Sequence, residues 1–148
     1  MALNTELLQR VREKIATAPE SYDQEVYGRP EVSAPCGTAA CIAGWTVILA
    51  GEVPMKRVRL ANAQYHKDDR EIFNLVPNTA ARLLGLDIDE QEAMFTAEPQ
   101  GESDGYSDER EGGWPEPYAS QWAEGEIPRH EIAVAYIDEC LRRGKVTW

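Results

Sequence analysis

A nearly unbroken apolar run in the first third of the chain constrains the fold more than any other feature. Across residues 39–50 only one glycine and one threonine interrupt the apolar side chains. A helix that is apolar on every side must be surrounded by other elements, and this one is too short to cross a bilayer. We therefore predict a buried central helix over residues 38–50, with Thr38 as its N-cap and Gly51 as its left-handed end.

The size of the chain and its cysteine count limit the class of protein. A chain of 148 residues matches one ordinary domain, so we predict a single domain over residues 1–148. The N-terminus lacks a charged start followed by an apolar block, and we expect neither a signal peptide nor a membrane span. Three cysteines are an odd number, which argues against an extracellular disulfide framework. We therefore expect a cytoplasmic protein.

Apolar residues at helical spacing predict further helices around the central one. We predict a first helix over about 5–17, a short helix after Asp68, a helical hairpin over 78–97 and a last helix over about 129–143. Alternating apolar and basic residues over 56–60 suggest one short strand without a partner. The predicted fold class is mainly α: a single-domain compact bundle of five or six helices with little or no sheet.

Local signals mark several helix ends. Asp68 with Glu71, and Asp89 with Glu92, have the spacing of a capping box, in which each end residue satisfies the other's backbone N–H. Gly85 is followed by an apolar residue, which fits a Schellman ending. These signals predict that the 68–76 and 78–84 segments form separate short helices.

The segment from residue 98 to residue 128 predicts a long acidic loop. Residues 97–128 hold nine carboxylates and one arginine, a net charge of −8 that leaves −3 of the total −11 for the rest. Loops this long inside a compact domain are usually functional or disordered. Aromatic residues are scarce in disordered segments, so we expect the Trp114–Trp122 portion to dock against the core and the 101–113 portion to be mobile.

This loop is also the leading candidate for a functional surface. Its charge repels the phosphates of nucleic acids, since binding to them needs clustered Lys and Arg. We therefore predict a non-enzymatic interaction module that binds a basic protein surface, with no role in nucleic-acid or membrane binding. The residues predicted to contact the partner are Trp114, Tyr118, Trp122, Asp104 and Asp108.

Cys36 and Cys41 support an alternative, a cysteine-dependent enzyme. If the central helix begins at Thr38, Cys36 lies just before its N-cap, where backbone N–H groups favour a thiolate. A cysteine nucleophile also needs a histidine to accept its proton, and the chain has only two histidines, His66 and His130. The weak catalytic candidates are therefore Cys36, His66 and His130.

The same cysteines support a second alternative, a small zinc protein. Cys36 and Cys41, plus His66, His130 or Cys140, would supply soft ligands, and the weak metal candidates are Cys36, Cys41 and His66. The gap between the first two cysteines is at the edge of the usual spacing, and a second ligand pair is missing. The interpretation we favour makes Cys41 and Cys140 buried apolar residues and places Cys36 in a tight turn. A reversible disulfide between Cys36 and Cys41 is a further alternative, and no cofactor is expected.

Four local motifs follow one another along the chain. They are Cys-Gly-Thr-x-x-Cys-Ile-Ala-Gly-Trp at 36–45, Ala-Arg-Leu-Leu-Gly-Leu at 81–86 with Glu-Ala-Met-Phe at 92–95, Gly-Trp-Pro-Glu-Pro-Tyr at 113–118, and Arg-His-Glu-Ile-Ala-Val at 129–134. In this combination the chain resembles an uncharacterised family of small bacterial and phage-associated proteins, over about residues 7–141. No activity is established for that family. The resemblance therefore implies a shared fold and transfers no catalytic residue.

Overall fold

The fold is known from a computed structural model that describes residues 2–59, 70–103, 110–111 and 113–148. Within these residues the chain is mainly helical, as predicted, with two small antiparallel strand pairs. The described residues form seven α-helices, because two short helices lie where the sequence predicts a strand and a loop, while one helix replaces two of the predicted ones. The helices are α1 (Thr5–Thr17), α2 (Ile42–Leu49), α3 (Met55–Val58), α4 (Arg70–Leu84), α5 (Ile88–Met94), α6 (Tyr118–Glu124) and α7 (Arg129–Arg143).

The first and last helices form where the sequence predicts them. In α1 the Asn4 side chain accepts the backbone N–H of Leu7 over 3.1 Å, which caps the N-terminus. The α7 helix ends at Gly144, whose φ of +72° is the left-handed conformation that favours glycine. The two helices pack against each other, and α1 also packs on α2. None of the described helices combines the length and apolar content that crossing a membrane requires.

The central helix α2 is buried as predicted but begins later. Its first residue is Ile42, with Cys41 at the N-cap position, and Gly51 ends the turn that follows with a φ of +75°. The predicted cap Thr38 lies instead in strand β2 (Thr38–Ala39), which pairs with β1 (Arg29–Pro30). The apolar run fits a buried strand as well as a buried helix, so its pattern alone does not locate the boundary between them.

One helix, α4, replaces the two short helices predicted between residues 68 and 84. Pro77 lies inside it, although a proline removes one backbone hydrogen bond from a helix and its ring crowds the carbonyl four residues earlier. The helix is held in place by a continuous apolar face that is fully buried, formed by Ile72, Val76, Ala80 and Leu84. Its start predicted at Asp68 lies outside the described residues.

The end of α4 confirms the predicted Schellman motif. The N–H of Leu86 donates to the carbonyl of Ala81 over 2.9 Å, and Gly85 has a φ of +78°. The capping box of α5 was predicted two residues too late. Asp87 accepts the N–H of Glu90 over 2.8 Å, and the Glu90 carboxylate accepts the N–H of Asp87 over 3.1 Å.

The predicted strand over residues 56–60 is wrong where it is described, because Met55–Val58 forms the helical turn α3. The carbonyl of Pro54 accepts the N–H groups of both Arg57 and Val58, at 3.0 and 3.1 Å. Proline suits the position before a helix, since its missing N–H has no partner there anyway. The alternation of apolar and basic side chains is therefore accidental.

The acidic segment 98–128 is not one irregular loop. Glu102–Ser103 (β3) pairs with Arg110–Glu111 (β4), and α6 follows and packs on α7. The predicted docking of the Trp114–Trp122 portion is confirmed, because both tryptophans are buried. The prediction of a mobile 101–113 portion falls partly on residues 104–109 and 112, which lie outside the described residues.

Candidate functional site

The cysteine motif at 36–45 holds the preceding segment, residues 21–27, against α2. The indole N–H of Trp45 donates to the carbonyl of Ser21 over 2.6 Å inside the core. The N–H of Cys41 donates to the carbonyl of Val26 over 3.1 Å. The most specific residues of the motif thus form backbone contacts that position one segment. These contacts of Trp45 and Cys41 hold the fold together.

Cys41 occupies the N-cap position where a reactive thiolate would be expected, but burial prevents it from ionising. Its side chain is only 1% exposed. Burial raises the pKa of the thiol to about 11, although the N–H groups of Ala43 and Gly44 lower it in part. Burial likewise raises the pKa of Cys140 to about 12. Both thiols are therefore protonated at neutral pH and behave as small apolar side chains.

Cys36 lies well before α2, so the prediction that it precedes the helix N-cap directly is wrong. It is half-buried in the turn between β1 and β2, where its Sγ lies 3.7 Å from Ser21 Oγ and 3.5 Å from the carbonyl oxygen of Thr38. Arg59 donates to the carbonyl of Cys36 over 3.2 Å. Gly37, with a φ of +73°, completes a tight turn. This position agrees with the interpretation that we favour from the sequence, in which Cys36 lies in such a turn.

Within the described residues, no hydrogen bond joins His130 to Cys36, and no cluster of metal-binding side chains is found. His130 is the second residue of α7 and lines a shallow groove against α1, beside Ala16 and Asp138. His66 lies outside the described residues. In the described ranges, no three His, Cys, Asp or Glu side chains lie close enough together to hold a metal ion. A zinc site at Cys36 or Cys41 would need ligands from the rest of the chain.

The aromatic rings predicted to bind a partner face the core instead. The ring of Trp114 stacks on Tyr136 with their centroids 4.4 Å apart, and its N–H donates to the carbonyl of Met94 over 3.3 Å. Trp122 packs edge-on against Trp114 and Tyr22. At 3% and 5% exposure, Trp114 and Trp122 offer almost no surface to a partner, and they fasten the acidic segment to the core.

Among the described residues of this segment, several carboxylates are exposed while the tryptophans are buried. Glu116, Glu124 and Glu126 are exposed on and beside α6. Tyr118, the third predicted aromatic contact, is half-buried against Tyr136. The two predicted aspartate contacts, Asp104 and Asp108, lie outside the described residues.

A groove that the sequence did not predict lies beside the held segment. Its cavity of about 160 Å³ opens between the segment, α4 and the end of α5, and it is lined by Gln24, Glu25, Val26, Tyr27, Phe73, Phe95 and Ala97. Tyr27 and Phe73 meet edge-to-face with their centroids 5.1 Å apart. A shallower depression of about 280 Å³ adjoins it, shares Tyr27, Phe95 and Ala97, and adds Pro77, Gln91, Glu92 and Thr96.

Buried hydrogen bonds fix the walls of this groove. Gln24 is 3% exposed, and its Nε2 donates to the carbonyls of Met94 and Thr96 at 3.2 and 2.9 Å. Its Oε1 accepts the hydroxyl of Tyr22 over 3.0 Å. Burial, with a smaller effect from Cys41, raises the pKa of Tyr27 to about 12, so its ring is neutral at physiological pH. The groove is preformed, aromatic and neutral at its base.

Comparison of the chain with protein-family models, with curated proteins and with solved structures found no match. The resemblance to a bacterial and phage-associated family therefore stays a prediction. Inferences about function rest on the geometry and charge described above.

Proposed function

We propose that the protein is a cytoplasmic interaction module that binds a basic surface of a partner protein through its acidic segment, without catalysing a reaction. The observation that carries this proposal is the attachment of that segment to the core. Trp114 and Trp122 belong to a strongly acidic stretch, yet both are buried. Large aromatic side chains gain free energy by packing on a core, whereas a fully solvated tail would leave them exposed.

Attachment matters because it fixes the exposed carboxylates of the described residues in space. Residues 97–128 carry a net charge of −8, and part of this charge is displayed by the exposed Glu116, Glu124 and Glu126. A fixed field of one sign attracts a partner of opposite charge and favours one orientation over others. It does so without the entropic cost of ordering a flexible tail on binding.

Charge-neutralising variants test the proposal with a defined cationic probe. The protein is titrated into a fluorescein-labelled oligo-arginine peptide, and binding is measured by fluorescence anisotropy with an oligo-glutamate peptide as the negative control. We expect the double variant Glu124→Gln/Glu126→Gln to bind about three- to tenfold more weakly than the unmodified protein, because each lost surface charge pair contributes up to about 1 kcal/mol.

The matched control removes two exposed carboxylates outside the acidic segment, Glu6→Gln/Glu52→Gln. It removes the same two negative charges from the protein, and we expect less than about a twofold change in affinity. Equal weakening by both double variants would mean that only the total charge matters, which contradicts a localised surface. Absence of binding by the unmodified protein at low salt would overturn the proposal.

A further inference from the structure

The groove beside Tyr27 combines aromatic and acidic groups in a way that fits one kind of side chain. Tyr27, Phe73, Phe95 and the exposed Glu25 line the groove, and the exposed Glu92 lines the depression that adjoins it. Among the described residues, neither lining set contains a lysine, arginine or histidine. Aromatic faces attract cations, and long basic side chains bury an apolar stem beneath a charged head.

The size and rigidity of the groove are suited to a side chain rather than to a large surface. An engineered cavity of about 150 Å³ in a protein core accepts benzene, so the cavity of about 160 Å³ has room for a guanidinium group and part of its stem. Its walls are held by the hydrogen bonds of Gln24 to Met94 and Thr96. A ligand therefore pays little to organise the site.

At the edge of the groove, a guanidinium of the protein itself already makes the contacts that we expect of such a side chain. The Arg129 guanidinium lies 4.7 Å from the centroid of the Trp122 ring, and it pairs with the Glu25 carboxylate over 3.4 Å. Both Arg129 and Glu25 are exposed. An incoming guanidinium would therefore compete with Arg129 for the same carboxylate.

We propose that this groove receives an arginine side chain of the basic partner, with the guanidinium against the Tyr27 ring and between the carboxylates of Glu25 and Glu92. This inference rests on the proposed function, and it adds a defined recognition point to the more diffuse attraction of the acidic segment. Arginine is preferred over lysine because its planar guanidinium stacks on aromatic rings and pairs with carboxylates in a fixed geometry.

The test uses three Gly-Ser peptides that differ at one central residue: arginine, lysine or citrulline, the neutral isostere of arginine. Each peptide is titrated into the isotopically labelled protein, and amide chemical shifts are followed by NMR. We expect the arginine peptide to shift the resonances of Tyr27, Gln91 and Ala97 in a saturable way. We expect citrulline to bind at least about fivefold more weakly, since it lacks the charge that the rings and carboxylates attract.

Two pairs of variants separate the groove from the general charge. Glu92→Gln removes the carboxylate of the depression that adjoins the groove, and we expect it to weaken arginine-peptide binding about threefold or more, whereas Asp89→Asn on the same helix should not. Arg129→Gln removes the competing guanidinium, and we expect it to strengthen binding about twofold or more. Its control is Arg82→Gln, which removes an exposed positive charge on α4 that lines neither part of the groove.

Several results would overturn the inference. Equal binding of citrulline and arginine would exclude recognition of the charge, and equal binding of lysine would exclude a preference for arginine. Shifts confined to the acidic segment, with Glu92→Gln silent and Glu124→Gln/Glu126→Gln weakened, would reject the groove while leaving the proposed function intact. If the oligo-arginine peptide also fails to bind, both proposals fall together.

Discussion

The carbonyl oxygen of Tyr27 lies directly against the Cα of Gly44 in helix α2, in the space that a Cβ would occupy. The contact brings the 21–27 segment closer to a helix than any residue with a side chain would permit. Because Gln24 and Tyr27 belong to that segment and line the groove, the glycine of the Cys-Ile-Ala-Gly-Trp motif determines where one wall of the groove stands.

Replacing Gly44 with alanine should therefore destabilise the protein. The methyl group would overlap backbone atoms that cannot rotate away, and we expect the free energy of unfolding to fall by about 3 kcal/mol. Urea denaturation followed by far-ultraviolet circular dichroism measures this change. Gly51→Ala is the comparison, because a methyl group there meets no atom of the described chain within 4 Å. Its only expected cost is that of holding alanine in the left-handed conformation, about 1 to 2 kcal/mol. A smaller loss at Gly44 than at Gly51 would contradict the close contact.

The buried thiol of Cys41 should make the protein less stable in base. Its pKa is raised by burial from the ordinary value of 9.0 to about 11. Between these pH values the unfolded chain has released the proton while the folded chain retains it, so rising pH favours unfolding. We expect this group to remove about 2 kcal/mol from the free energy of unfolding between pH 8 and pH 10.5.

Cys41→Ala tests this assignment by urea denaturation at both pH values. The variant loses some packing at each pH, but the pH dependence should shrink by the contribution of the thiol. Burial also raises the pKa of Tyr22 and Tyr136, so part of the decline remains in the variant. An unchanged difference between the two pH values would show that Cys41 ionises as readily in the folded chain as in the unfolded one.

Trp114 should be required to keep the acidic segment on the core. Trp114→Ala removes the stack on Tyr136 and the hydrogen bond to the Met94 carbonyl, and we expect a loss of about 3 to 5 kcal/mol. Limited proteolysis should then cut the 98–113 region faster. Trp148→Ala is the control, because Trp148 is 38% exposed and should cost about 1 kcal/mol. Equal effects of the two variants would contradict the role of Trp114 as an anchor.

The elements predicted well from the sequence are those with strong local signals. The boundaries of α1 and α7 follow from apolar periodicity, and the structure places Asn4 and Gly144 as caps at their ends. The Schellman ending at Gly85 also depends on nearest neighbours alone. In each of these places, local preference and tertiary packing favour the same structure.

The predicted helix boundaries are wrong where local sequence signals conflict with tertiary packing. Pro77 signals a helix boundary, but the buried face of α4 continues through it. Thr38 resembles an N-cap, but its hydroxyl accepts a hydrogen bond from Arg59 while its backbone pairs with β1. The groove gave no sequence pattern at all, because Tyr27, Phe73 and Phe95 come from three segments that only the folded chain brings together.

The most direct test of the account is the salt dependence of binding to oligo-arginine, measured by isothermal titration calorimetry from low to physiological ionic strength. If a fixed acidic surface attracts the partner, the affinity should fall steadily with salt, because surface charges more than about 8 Å apart are largely screened at about 0.15 M. The fall should be shallower for Glu124→Gln/Glu126→Gln. An affinity that does not change with salt, or a slope identical in the variant and the unmodified protein, would contradict the central claim.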